Sequence, residues 1–180
     1  MLGRHEIATA LVAPGKGILA ADESIATMSK RLEAVGVRPG ADMRRDYREL
    51  LLTTPGLAHW VAGMIFSGET LGQELPDGTP FGHGGLVTQR LDGLRSRLGA
   101  YRERGATFAC ANLAAINAQA AAGEPVPWRL TFSFGRALVE DALRAWRGIP
   151  AQVAAAQAEL AGNCQRASAA SSPAATPVRT

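Results

Sequence analysis

Hydrophobic positions along the chain fall into two kinds of pattern. Short apolar runs occupy residues 17–21 (GILAA) and 61–67 (VAGMIFS), each suited to a strand buried on both faces of a parallel sheet, and residues 129–134 (RLTFSF, opened by Pro127 and Trp128) form a third strand signal. A shorter run at 108–111 reads as a fourth strand signal. Helical spacing fills much of the rest. Residues 24–35 predict a helix opened by acidic residues, with Leu32 and Val35 facing inward and Gly36 near its end. Over 42–53, Met43, Tyr47, Leu50 and Leu51 keep the i, i+4, i+7, i+8 rule of one apolar face. Leu91, Leu94, Leu98 and Tyr101 form a stripe over 91–104 whose arginines read as a solvated helix face. Further helices are predicted over 135–147 and 151–161. From Cys164 onward the chain becomes a Ser/Ala/Pro stretch with nothing to bury, so the pattern predicts one domain over 1–163 and a flexible tail over 164–180.

Strand, helix, strand, helix and later strand, helix is βα alternation, the mark of an open doubly wound sheet or a (β/α) barrel. A complete barrel typically needs about 250 residues and eight strands, whereas this chain has 180 residues. Composition adds little about partners. Hydrophobic residues make up 47% and the formal net charge is +3, with 19 basic against 16 acidic side chains, which is too weak a field to imply nucleic acid. No apolar stretch approaches the length of a membrane span, and Pro14 and Gly15 interrupt the early apolar run, so the expected location is cytoplasmic. Cys110 and Cys164 are isolated thiols, and His5, His59 and His83 are scattered, so neither a metal nor another cofactor is expected. One count changes the chemistry: of the basic side chains only Lys16 and Lys30 are lysines.

Ligands of parallel βα units bind at the C-terminal ends of the strands, and three segments occupy that position. The first is Asp22-Glu23-Ser24, with Thr27, Lys30 and Arg31 one turn further on; here Asp22 and Ser24 read equally as caps for the next helix. The second, Ser67-Gly68-Glu69-Thr70, has the same two readings. In the third, Ser133-Phe134-Gly135-Arg136, a glycine at the strand-to-helix passage lets a backbone N–H approach a phosphate, and Arg136 can clamp it.

These residues fall within longer motifs. Residues 11–52, LVAPGKGILAADESIATMSKRLEAVGVRPGADMRRDYRELLL, closely resemble the N-terminal region of class I fructose-bisphosphate aldolases. VAGMIFSGETL (61–71) is similar to the family's second strand and its following ETL, and GLVTQRLDGLRSRLGAYRERGATFA to its TQGLDGLxxR helix and the start of a later strand. PWRLTFSFGRALVEDALRAWRG (127–148) resembles the last barrel strand with its SYGRAL phosphate loop. The resemblance implies a partial (β/α) TIM-type barrel that retains counterparts of strands 1, 2, the start of 4, and 8. Strand eight should then lie beside strand one, and strand one beside strand two. Gly85-Leu86 stand where the third strand should begin, yet the chain passes at once to the TQxLDGL helix, and 109–111 lead straight into NLAAIN; strands five, six and seven have no counterpart.

By resemblance, Asp22 matches the strand-one aspartate that orients the Schiff-base lysine and assists proton transfer. Thr27, Arg31, Ser133, Gly135 and Arg136 match phosphate-contacting positions. The family's nucleophilic lysine lies on strand six, and neither Lys16 nor Lys30 matches it. The resemblance therefore implies glycolytic cleavage of fructose 1,6-bisphosphate to dihydroxyacetone phosphate and glyceraldehyde 3-phosphate as ancestry, with activity lost in this chain. The alternative is a non-catalytic remnant or incomplete gene model that binds sugar phosphate weakly. Oligomerisation would also follow from family resemblance.

Overall fold

The first apolar run is buried at alternate positions, Gly17, Leu19 and Ala21, with Ile18 and Ala20 partly covered. This is the signature of a strand with one face in the core and the other partly covered. The computed structural model describes residues 4–81, 87–89, 105–122 and 131–172. Their order is α1 (Arg4–Leu11), β1 (Gly17–Ala21), α2 (Ile25–Ala34), α3 (Ala41–Leu52), α4 (Leu57–Trp60), β2 (Val61–Phe66), α5 (Gly68–Leu71), β3 (Val87–Gln89), α6 (Gly105–Ala122), β4 (Ser133–Phe134), α7 (Arg136–Trp146) and α8 (Val153–Ala170), with a 3-10 turn at Pro150–Gln152 leading into α8.

The four strands form one parallel sheet in the order β3-β2-β1-β4. Ile18 pairs with Gly63 on one side and with Ser133 on the other, so the last strand signal in the chain lies against the first, as expected of a barrel seam. Among the described residues the sheet is open, with β3 and β4 at its edges. The architecture is that of a partial α/β barrel.

Two glycines let the seam close. A methyl group on Gly17 would lie 2.4 Å from the ring of the fully buried Phe132, and one on Gly135 would lie 3.0 Å from the Ala20 carbonyl oxygen. Only hydrogen fits at the first position without displacing an aromatic ring. The Ile18 N–H also donates to the Phe132 oxygen at 2.8 Å, so β1 and the β4 segment are paired beyond the two-residue strand itself.

The core gathers Leu19, Phe66 and Phe132 from the sheet with Leu32, Tyr47, Leu51, Leu138 and Leu160 from the helices. Three buried or partly buried amides fasten α8 to its neighbours. Asn163 Nδ2 donates to the Leu138 oxygen at 2.9 Å, Gln157 Nε2 to the Leu50 oxygen at 3.2 Å, and Asn117 Nδ2, from α6, to the Ala170 oxygen at 3.2 Å. Each satisfies groups whose burial would otherwise be unfavourable.

Three expectations need correction. Residues 108–111 do not begin a strand; they lie inside α6, where Ala109, Cys110, Leu113, Ala114 and Asn117 are buried at helical spacing. The surrounding sequence GATFACANLAAINAQAAA is rich in alanine, whose helix propensity outweighs a four-residue apolar run. A third strand does exist: Val87–Gln89 pairs with β2 through Met64, Ile65 and Phe66. The expected tail boundary at 164 also falls too early, because α8 continues to Ala170 and buries Cys164, Ala167 and Ala170. The helix predicted over 91–104, strand positions 129–130 and the end of the expected tail, 173–180, lie outside the described residues.

Candidate functional site

Strands β1, β2 and β4 run parallel, so their C-terminal ends open on one rim. That rim is organised by arginines of α3 reaching up from the helix layer. Arg48 is fully buried; its Nε donates to the Ala21 oxygen at 3.1 Å and its Nη2 to the Glu23 oxygen at 3.1 Å, while Nη2 lies 3.6 Å from Glu23 Oε2. Burial pushes its pKa down from the ordinary arginine value, and the Glu23 charge opposes that fall. Arg44 grips Glu69, just past β2, through Nε at 2.8 Å and Nη2 at 2.6 Å. The same bidentate bond raises the arginine pKa and lowers that of the Glu69 carboxyl. These two arginines fix the chain where β1 and β2 end.

Arg31, near the end of α2, forms the third node. Its Nη1 bonds Glu23 Oε1, and its Nη2 donates to Glu140 Oε2 on α7 at 3.1 Å. Burial alone would lower the Arg31 pKa, but the negative forms of Tyr47, Glu23 and Glu140 more than compensate and hold it up. The Tyr47 ring lies fully buried beside this cluster, where burial raises its phenol above the ordinary range.

Asp22 follows β1 directly and is partly buried; among the described residues it has no hydrogen-bond or ion-pair partner. Ser24 caps α2, accepting from the Thr27 N–H at 3.2 Å and donating to Thr27 Oγ1 at 3.0 Å, so the Thr27 hydroxyl is exposed but engaged in the cap. Ser67 caps α5 in the same way, accepting from the Thr70 N–H at 3.4 Å. Ser133 is exposed on β4, opposite Ile18. Gly135 stands at the N-cap of α7 against Ala20, and Arg136 is exposed as the first residue of that helix. The first N–H groups of α7 have no intrahelical acceptor, and the helix dipole favours an anion there.

The fold thus brings Gly135, against Ala20, and Arg136 after it toward the end of β1 that carries Asp22, leaves Ser133 further back opposite Ile18, and ties Arg31 to α7 through Glu140. It does not leave Arg31 open on the rim. Sequence reasoning had no part for Arg44, Arg48 or Glu140, and it marked Glu69 only as a member of the Ser67–Thr70 segment, not as the partner of Arg44. The arginines do stand in the quoted RRDYR motif, and their polar spacing within an otherwise apolar-faced helix is the one signal that could have marked them. Among the described residues, no group of three or more His, Cys, Asp or Glu side chains is placed to hold a metal ion. No described helix is long and apolar enough to cross a membrane.

Comparison with known proteins agrees with this placement. The family model for class-I fructose-bisphosphate aldolase matches residues 4–84 and 109–177. A probable fructose-bisphosphate aldolase class 1 of Xanthomonas campestris is 44% identical over 128 residues, covering 58% of this chain and 38% of the relative. The Drosophila melanogaster fructose-bisphosphate aldolase is 44% identical over 130 residues, covering 58% and 36%. The chain therefore spans little more than a third of the length of the curated relatives it matches. A solved fructose-bisphosphate aldolase from Plasmodium falciparum shares the fold with a TM-score of 0.76 at 19% identity, covering 94% of this chain and 94% of that one. With β4 seated against β1 and the family model matching most of its residues, this chain belongs to the class-I fructose-bisphosphate aldolase family.

Proposed function

We infer that the chain keeps one side of an aldolase site, binding the phosphate of a sugar phosphate at the rim between β1 and β4 without cleaving a carbon–carbon bond. The observation that carries this reading is the approach of Gly135 to Ala20, which sets the α7 N-terminus and Arg136 beside the end of β1. Backbone N–H groups at a helix start, with an arginine fork next to them, recognise phosphate whatever the fate of the sugar. Asp22, Thr27, Arg31 and Ser133 complete the set of positions that family resemblance assigns to the substrate.

Turnover needs more. Class I chemistry passes through an imine on a lysine, and the chain has only Lys16 and Lys30. Lys16 precedes β1, so about 20 Å of extended chain separates its backbone from Asp22 at the other end. Lys30 is exposed on α2. Neither matches the position that family resemblance assigns to the nucleophile. Losing the nucleophile removes the reaction path itself, and the remaining aspartate has no imine nitrogen to serve.

Borohydride trapping with dihydroxyacetone phosphate, read by intact mass, should give no adduct, and fructose 1,6-bisphosphate should be cleaved no faster than by Asp22→Ala. An adduct lost in Lys16→Ala or Lys30→Ala would establish the lyase instead. Binding should survive weakly, with Kd on the order of millimolar, about −4 kcal/mol. Phosphate-dependent NMR shifts should cluster at Gly135, Arg136, Thr27 and Arg31 and vanish in Arg136→Ala. Their absence at tens of millimolar phosphate would reduce the loops to relics of sequence.

A further inference from the structure

The geometry points to Glu140 as a built-in competitor for phosphate: it occupies Arg31 from within the chain and so sets how tightly the rim binds an anion. This inference rests on the phosphate-binding reading above and deepens it. Both terminal nitrogens of Arg31 are taken by carboxylates, Nη1 by Glu23 and Nη2 by Glu140. The Arg31 side chain is 15% exposed and Glu140 28%, so water screens the pair only in part. With both terminal nitrogens so occupied, a phosphate can bond the Arg31 fork only after one carboxylate leaves.

Of the two, Glu140 is the one able to leave. Glu23 is held on two sides, by Arg31 and by Arg48, and its main-chain oxygen also accepts from Arg48, so moving it would disturb the end of β1. Glu140 stands on α7 one turn beyond Arg136, is more exposed, and has a second partner waiting: its Oε1 lies 3.3 Å from Arg144 Nη2 at i+4. Rotation toward Arg144 would release Arg31 Nη2 toward the α7 N-terminus without leaving a carboxylate unpaired. Glu140 is therefore a positioning residue acting through Arg31, and Arg136 with the Gly135 N–H remains the primary grip.

The test is inorganic phosphate titrated into the full chain, followed by NMR shifts at Gly135 and Arg136, for wild type, Glu140→Gln, Glu140→Ala and the double variant Arg31→Gln with Glu140→Gln. Two Glu140 variants are measured so that misfolding of one leaves the other. Removing the carboxylate that occupies Arg31 Nη2 should tighten binding about fivefold, and the gain should disappear when Arg31 is also replaced. Wild-type binding with no gain in folded Glu140 variants overturns the inference alone, as does a gain that persists without Arg31. No binding by any variant at tens of millimolar overturns both the inference and the reading beneath it.

Discussion

Replacing Arg48 by Met keeps a long side chain in place but removes the guanidinium that ties α3 to the end of β1. Two of its hydrogen bonds, to the Ala21 and Glu23 oxygens, are 3.1 Å long, the first fully buried and the second partly so. Bonds from a charged donor contribute about 1.5–3 kcal/mol each, which sets a ceiling of about 3–6 kcal/mol for the pair. Against that stands the unfavourable burial of the charge itself, which the methionine relieves. Two carbonyl oxygens would be left without that donor, and Glu23 would lose one of its two cations, so the net loss is about 3 kcal/mol. Urea unfolding followed by tryptophan fluorescence would read this as a midpoint lowered by about 1.5 M, taking a slope near 2 kcal/mol/M. Arg45 provides the contrast: its partners Asp42 and Asp46 are surface carboxylates, and Arg45→Met should leave the midpoint unchanged. A loss below about 1 kcal/mol for Arg48→Met would refute the reasoning, because the buried bonds would then contribute no more than surface pairs.

Glu69 should make stability depend on acid. Its hydrogen bonds to Arg44 lower its pKa in the folded state, so the stabilisation is fully present above its unfolded value and fades as pH falls through the folded one; the stability gap between wild type and Glu69→Gln, measured by urea unfolding, should shrink from pH 6 to pH 3. Gly17→Ala should destabilise by about 1–3 kcal/mol through forced repacking of Phe132, and a thermal midpoint equal to wild type would contradict the close approach. Burial pushes the Cys164 thiol up to about 12, with Cys110 adding to the rise. Iodoacetamide at pH 8 should therefore leave Cys164 unlabelled in the folded chain and modify it in urea, as intact mass would show.

The seam of the sheet was legible in the sequence because its strands are marked by local signals: an apolar run, then a serine, glycine or acidic residue where the helix starts. Ser24 and Ser67 perform the capping role their residue type suggests. What could not be read is set by contacts between distant residues. Arg31 and Glu140 are 109 positions apart, and no periodicity announces that the arginine's second fork will be filled from α7. Residues 108–111 illustrate a different loss, since four apolar residues fit a strand or a helix equally until the buried spacing of α6 decides. The reach of α8 to Ala170 was hidden because alanine and serine look like linker composition, yet such small side chains suit the close packing of α8 against α6 and α7.

The pairing of β4 with β1 also has a consequence for how the chain acquires its shape. Thr131 bonds the Lys16 carbonyl across 115 positions, whereas β1 meets β2 across only about 45. Closing the longer loop costs about 0.8 kcal/mol more chain entropy, and its two-residue strand returns fewer ladder bonds for that expense. The β1-β2 unit with α2 and α3 should therefore assemble early, and the seam should form late, after the transition state. Substitutions such as Ser133→Pro would then speed unfolding far more than they slow refolding. The same rim on which phosphate binding is proposed would be the last part of the molecule to become native and the first to open.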